Sequence, residues 1–186
     1  MRFRQLIGLM LRWSKKSRDY ETALVVLVPN AEEHIAGIRR SLDTTAMPAH
    51  VTVLYPFVRK SLLTDDVLSR IRTILREVEP FSLELSEIRW FEERVLYLAP
   101  NPASPFQEMT QLITNAFPDY KPYRGEFAEV IPHVTVAEGF SPPKLREAAS
   151  VITEVLPIHA EVGDVCLMVQ DVPGVWEIHT TFNLGR

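Results

Sequence analysis

Two separated stretches of the chain, residues 50–53 and 133–136, carry the same four residues, His-Val-Thr-Val. If each is a strand, alternation puts His50 and Thr52 on one face with Val51 and Val53 on the other, and treats His133 and Thr135 against Val134 and Val136 in the same way. Each motif then offers an imidazole and a hydroxyl together from a stiff, half-buried support. Two such pairs suit an in-line displacement at phosphorus, which needs a base on the entering oxygen and an acid on the leaving oxygen opposite. Histidine serves either role near neutral pH, and two hydroxyls can donate to the non-bridging oxygens, whose charge must be held through the transition state. His50 and His133 are therefore the candidate catalytic residues, and Thr52 and Thr135 the candidate phosphate-binding residues. This chemistry calls for no metal and no other cofactor.

With five histidines and twelve threonines in 186 residues, His-x-Thr should arise by chance about 0.3 times. It occurs three times. The third, His179-Thr180-Thr181, lacks the flanking valine and the preceding proline, whereas Pro48 stands two residues before His50 and Pro132 directly before His133. His179 is left out of the catalytic set, and His34 and His159 are given no role. Phe57, Tyr123 and Arg124 are candidate substrate-binding residues, since a ring can stack on a base and a guanidinium can pair with phosphate. Tyr123 and Arg124 fall in an irregular stretch, 117–132, broken by Pro118, Pro122, Gly125 and Pro132, where function concentrates on a rigid scaffold. Tyr55 falls on the valine side of simple alternation and reads as core. Glu138 is near His133, but two histidines on separate strands without paired carboxylates or cysteines make a poor zinc set. The seven glycines are scattered, with no phosphate-binding loop pattern.

The elements that must position these residues follow from periodicity. The pattern predicts a strand over 23–28, a helix over 31–42, the first motif strand, and a helix over 61–78. A hairpin over 81–91 and 95–99, turning at Glu92-Glu93-Arg94, precedes a helix over 105–116. After the irregular stretch come the second motif strand, a helix over 142–156, and two strands over 158–169 and 175–184, joined by Asp171-Val172-Pro173-Gly174. This order reads as one α+β domain, bilobal, with two pseudo-symmetric lobes of antiparallel strands, helices outside, and a central cleft to which each lobe contributes a motif strand.

Composition sets further bounds. A chain that is 46% hydrophobic and 24% charged, with mean hydropathy near zero, can bury one substantial core. Residues 1–20 read as a basic N-terminal extension and 21–186 as the domain. The first eighteen residues hold six of the twenty Lys and Arg and none of the acids, so residues 19–186 carry fourteen basic against twenty-four acidic residues, a formal −10. An acidic body is a poor track for long nucleic acid, so the expected partner is a small nucleotide or an RNA terminus. The apolar run 6–11 is expected to form a helical extension, with contact to a membrane surface the lesser alternative. A lone cysteine, Cys166, reads as an inert core thiol and suits a reducing cytoplasm.

The motif-bearing segment 48–57, Pro-Ala-His-Val-Thr-Val-Leu-Tyr-Pro-Phe, resembles the 2H phosphoesterase superfamily, in particular its 2'-5' RNA ligase and 2',3'-cyclic phosphodiesterase branch. The segments 95–100, 122–125 and 131–137 are similar to it as well, and the likeness spans about residues 21–184. The resemblance implies a bilobal fold with a cleft lined by both motifs, and metal-independent opening of a 2',3'-cyclic phosphate to a 2'-phosphate, with 2'-5' ligation as the reverse. It further implies that His133 activates water, that His50 protonates the departing 3' oxygen, and that Thr52 and Thr135 hold the phosphate. The alternative is a binding module that keeps the cleft and recognises a nucleotide or RNA end without turnover.

Overall fold

The computed structural model describes residues 21–42, 47–172 and 175–185. The expectations for segment 1–20 therefore lie outside the described residues. In chain order the elements are β1 (Glu21–Leu27), α1 (Pro29–Ser41), β2 (His50–Leu54), α2 (Asp65–Leu75), β3 (Phe81–Phe91), β4 (Val95–Asn101), α3 (Ser104–Ala116), β5 (Val134–Glu138), α4 (Pro142–Thr153), β6 (Ile158–Val162), β7 (Asp164–Val172) and β8 (Val175–Asn183). All eight strands join one sheet in the order β6-β3-β4-β5-β2-β1-β7-β8, and every pairing is antiparallel.

Local chemistry sets the boundaries. Proline opens α1, α3 and α4 within their first two positions, where its missing N–H costs nothing and its fixed φ suits the helix. The helix predicted over 61–78 starts later, at Asp65, because Thr64 caps it by accepting from Val67 N at 3.4 Å, and Asp65 and Asp66 complement the N-terminal dipole. The hairpin turns where expected: Glu92 and Glu93 take positive φ of 48° and 55°, and Arg94 N donates to Phe91 O at 2.9 Å.

One face of the sheet is covered by the helices. Leu24, Val26, Val51, Val53, Leu96, Leu98, Val134 and Val136 from the strands meet Ile35, Ile71, Phe106, Ile113, Leu145 and Ile152 from the four helices, all in one buried cluster. Each such side chain contributes about 1.5–3 kcal/mol by burial. The motif valines thus fix both motif strands to a common core, and His50 and Thr52 alternate to the opposite face.

The sequence β1-α1-β2-α2 is repeated as β4-α3-β5-α4, and the two motif strands meet at the centre of the sheet. Reading outward, one half runs β2, β1, β7, β8 and the other β5, β4, β3, β6. The bilobal α+β arrangement follows from this pseudo-two-fold. The strand expected over 158–169 is two strands. It breaks at Gly163, so that β6 pairs with β3 at one edge while β7 pairs with β1 in the other half. A one-residue link between such distant strands requires the sheet to curl, and Leu184 N donates to Gly163 O at 2.8 Å where the ends come together.

Candidate functional site

The two motif strands are hydrogen-bonded neighbours, with Val51 paired to Val134. Extending that antiparallel register places His50 across from Thr135 and Thr52 across from His133. The four side chains form a square on the cleft face with the histidines at opposite corners, a diagonal of roughly 7–8 Å between strands. A tetrahedral phosphate between them would meet one imidazole on each side and one hydroxyl on each remaining side.

The neighbours of each motif strand show the same irregularity. Between β1 and β2 the pairing steps from Leu24↔Leu54 to Val25↔Thr52, and between β4 and β5 from Leu96↔Ala137 to Tyr97↔Thr135. The extra residue is Val53 in one motif and Val136 in the other. Each is a β-bulge, and each reverses the alternation that follows. Leu54 and Ala137 consequently join the core, and Tyr55 turns to the cleft side, where it packs with Ala23, Val25, Cys166, Met168 and Trp176. The expectation that Tyr55 lies with the valines is corrected by this bulge. Its counterpart in the second lobe is Glu138.

Both histidines are held in one way. His50 Nδ1 lies 2.7 Å from Pro48 O, and His133 Nδ1 lies 2.7 Å from Ile131 O. A carbonyl only accepts, so each Nδ1 carries a proton and each neutral ring keeps its lone pair on Nε2. Loss of solvent lowers the His50 pKa to about 4, and the charges of His133 and Arg39 add to that, against the opposing pull of the Pro48 carbonyl and Glu32. His133 is also lowered by burial, against its bond to Ile131. Its ring meets the edges of Phe91 at 5.1 Å and Tyr97 at 5.4 Å, two rings that stack on each other at 4.2 Å. Both imidazoles are therefore neutral at pH 7 in the free protein.

Helix α1 braces the first motif in a manner that sequence reading misses. Glu32 Oε2 accepts from Ala49 N at 2.6 Å and from Arg39 Nη1 at 2.8 Å. The bond to Ala49 N fixes the peptide between Pro48, whose carbonyl anchors the imidazole, and His50. Nothing in the spacing of Glu32 and Arg39, seventeen and ten residues before Ala49, marks them as partners of a strand.

The remaining candidates separate clearly. Tyr123 comes to the first motif from the far loop: its N donates to Tyr55 O at 2.6 Å, and burial raises its pKa while Thr52 lowers it. Arg124 follows it with its side chain half-exposed and lies 3.6 Å from Glu21. Phe57 is corrected: at 3% exposure it is core, packed edge-on against Phe117 at 5.3 Å and Tyr120 at 5.5 Å, with no ring face left for a substrate. His179 sits on β8, three strands out from β2, at a point where the β7 pairing steps from Leu167↔Thr180 to Met168↔Ile178. Strict alternation would put Trp176, Ile178, Thr180, Phe182 and Leu184 on one face of this strand; the bulge divides them, since Phe182 is core and Trp176 packs on the cleft side. Cys166 is buried, as expected, and loss of solvent raises its thiol pKa, though its cluster lies on the cleft side of β1 and β7.

Comparison with known proteins gives a consistent picture. The sequence model of the 2'-5' RNA ligase superfamily matches residues 27–174. A protein of Halalkalibacterium halodurans that bears the name of a phosphoesterase is 29% identical over 146 residues, spanning 76% of this chain and 82% of its own. A Bacillus licheniformis protein of the same name is 28% identical over 142 residues, spanning 75% and 82%. Among solved structures, E. coli LigT complexed with 3'-AMP superposes with a TM-score of 0.56 at 13% identity, over 90% of this chain and 99% of LigT. TT0787 of Thermus thermophilus does so with a TM-score of 0.58 at 18% identity, over 89% and 99%.

Proposed function

We propose that this chain, which belongs to the 2'-5' RNA ligase superfamily and has the phosphoesterase fold of the 2H type, opens 2',3'-cyclic phosphates of RNA ends or small nucleotides to 2'-phosphates without a metal. The observation that carries the reading is the square of His50, Thr52, His133 and Thr135, with both Nε2 atoms left free by matching Nδ1 bonds. Those four groups supply a base, an acid and two phosphate donors. In hydrolysis His133 Nε2 takes a proton from water as the water oxygen bonds to phosphorus. The P–O3' bond breaks on the far side, and His50, carrying a second proton at Nε2 as the imidazolium when the anionic phosphate fills the site, delivers that proton to O3'. Thr52 and Thr135 donate to the non-bridging oxygens. Ligation of a 2'-hydroxyl end runs the same path backward, with the two histidines exchanging roles. E. coli LigT was solved in complex with 3'-AMP and with ATP, which supports a nucleotide-sized ligand for this cleft.

One observation favours a second assignment of roles within this reaction. Burial and the Arg39 charge, which lower the His50 pKa to about 4, suit His50 to rest unprotonated and act as the base. In that assignment His133 protonates the leaving oxygen.

The test is an EDTA-treated activity screen over nucleoside 2',3'-cyclic phosphates, 2'-5' dinucleotides and RNA with cyclic ends, identifying the phosphate position in each product. Turnover to a 2'-phosphate is expected, falling on the order of 10²–10⁴-fold in His50→Ala and in His133→Ala. Binding of the same compounds with no turnover in any arm would replace the enzyme with a binding module.

A further inference from the structure

The two histidines hang from peptide units of different kinds. Each Nδ1 meets the carbonyl two residues earlier in the chain, Pro48 O for His50 and Ile131 O for His133. The nitrogen of the first peptide unit belongs to Ala49 and carries a proton; that of the second belongs to Pro132 and carries none. The Pro48-Ala49 peptide is trans, and a planar trans peptide points its C=O and N–H in opposite directions. Whatever fixes the Ala49 N–H therefore also aims the Pro48 carbonyl. Glu32 fixes it from the helix side of the sheet, its Oε2 accepting from Ala49 N at 2.6 Å and from the buried Arg39, at Nη1, at 2.8 Å. Val28 N donates to Ala49 O at 2.8 Å where α1 begins. Among the described residues the second lobe has no equivalent. Its helix α3 matches α1 through buried Phe106 and Ile113 in the places of Ala31 and Ile38, which sets Gln107 and Thr114 in the places of Glu32 and Arg39. Those two residues and Pro132 border an open groove of about 490 Å³ instead, and the Thr114 hydroxyl donates within its own helix, to Thr110 O at 2.8 Å.

We infer that Glu32, held by Arg39, is a positioning residue that acts through the Pro48-Ala49 peptide to keep the His50 imidazole aimed at the phosphate. The role rests on the phosphodiesterase reading above. A carboxylate that accepts from a peptide N–H polarises the peptide and strengthens its carbonyl as an acceptor, so the brace both directs and tightens the bond to Nδ1–H. Direction matters because a ring that swings about its Cβ carries Nε2 off the line through phosphorus, and a misplacement of about 1 Å can cost on the order of 100-fold in rate. The Glu32 charge also favours a proton on His50, against Arg39 and His133, the other charged or titratable groups that act on that ring. His133 takes its orientation from the edges of Phe91 and Tyr97 as well as from Ile131 O. One lobe thus steadies its histidine through an ion pair behind the sheet, and the other through rings beside it.

The experiment compares the parent protein with Glu32→Gln, which keeps a carbonyl oxygen for Ala49 N, and with the double variant Glu32→Leu, Arg39→Met, which removes both charges and leaves neither buried alone. Urea midpoints establish that each is folded. Hydrogen exchange of the two imidazole Nδ1–H protons is followed by ¹⁵N-resolved NMR, and kcat and KM are measured on a nucleoside 2',3'-cyclic phosphate. In the double variant the His50 proton should exchange about tenfold faster, with that of His133 within twofold of the parent. Its kcat should fall on the order of 10–100-fold with KM within twofold. Glu32→Gln should lie between parent and double variant on both readouts, and it decides alone if the double variant does not fold, parental values then overturning the inference. A His50 proton that exchanges at the parental rate in the double variant, or two rings that loosen alike, would overturn the brace whatever the turnover. Faster exchange at His50 with parental kcat would overturn the positioning role and leave the phosphodiesterase reading standing. A parent protein with no turnover would strike that reading, and the positioning role with it.

Discussion

Anion binding in the cleft should draw a proton onto the histidine pair. In the free protein the His50 pKa of about 4 leaves on the order of one molecule in a thousand protonated at that ring at pH 7, and burial lowers His133 as well. A reaction needing one acid and one base cannot run from two neutral rings. An anionic oxygen about 4 Å from an Nε2 stabilises the imidazolium by about 4 kcal/mol at an effective dielectric near 20. At about 1.4 kcal/mol per pKa unit, that carries a ring from about 4 to about 7. The pair should therefore take up between half and one proton at pH 7 when the site fills, as a property of the coupled pair. Sulfate is a suitable probe, since it does not titrate in this range. Imidazole ¹⁵N spectra with and without saturating sulfate report which ring gains the proton, and calorimetry in buffers of different ionisation enthalpy counts it. Protonation of His50 supports the roles implied by family resemblance, and protonation of His133 supports the exchanged roles. Two rings that stay neutral at pH 6 with sulfate bound, or a cleft that binds no sulfate, would refute the electrostatic reasoning.

Other perturbations have defined outcomes. His50 also links stability to pH: its folded pKa lies below the ordinary 6.5, so the folded state binds fewer protons, and stability is lost as pH falls from about 6.5 through about 4. Urea midpoints should show a loss approaching 3 kcal/mol over that window, and His50→Asn should flatten it. Glu32→Gln removes the charge that Arg39 and Ala49 N share, and should cost about 1–3 kcal/mol in urea unfolding. The Arg39 charge, no longer opposed, should also move the His50 titration further down, read by imidazole NMR. Phe57→Ala should cost about 3–5 kcal/mol, and Phe57→Leu should lower the urea midpoint with KM within twofold, because the ring is buried in the core.

What can be read from the sequence is what repeats or alternates. The duplicated His-Val-Thr-Val locates both halves of the square, and the spacing of apolar residues locates the four helices of the described residues and the β3–β4 hairpin. Bulges are invisible, because one extra residue at Val53 or Val136 changes no composition and leaves the strand pattern intact while reversing every position after it. Simple alternation puts Tyr55 in the core for that reason, and gives the last strand one apolar face where the bulge at His179 divides it into two. Gly163 is a visible signal: a glycine inside an apolar strand run marks a break, here the point where the chain leaves one lobe for the other. Phe57 sits just past a motif strand, where proximity in sequence suggests a site, but the chain there turns inward, with Phe57 N bonded to Thr22 O at 2.9 Å. The brace from Glu32 and the bond from Tyr123 N to Tyr55 O are tertiary, and no local pattern encodes them.

The most direct test of the central claim is turnover of a nucleoside 2',3'-cyclic phosphate in ¹⁸O-labelled water with EDTA present, followed by ³¹P NMR. The account predicts a 2'-monophosphate carrying one labelled oxygen on phosphorus, formed by the parent protein and lost in both His50→Ala and His133→Ala. A 3'-monophosphate product, or the same product at parental rates from either variant, would contradict it.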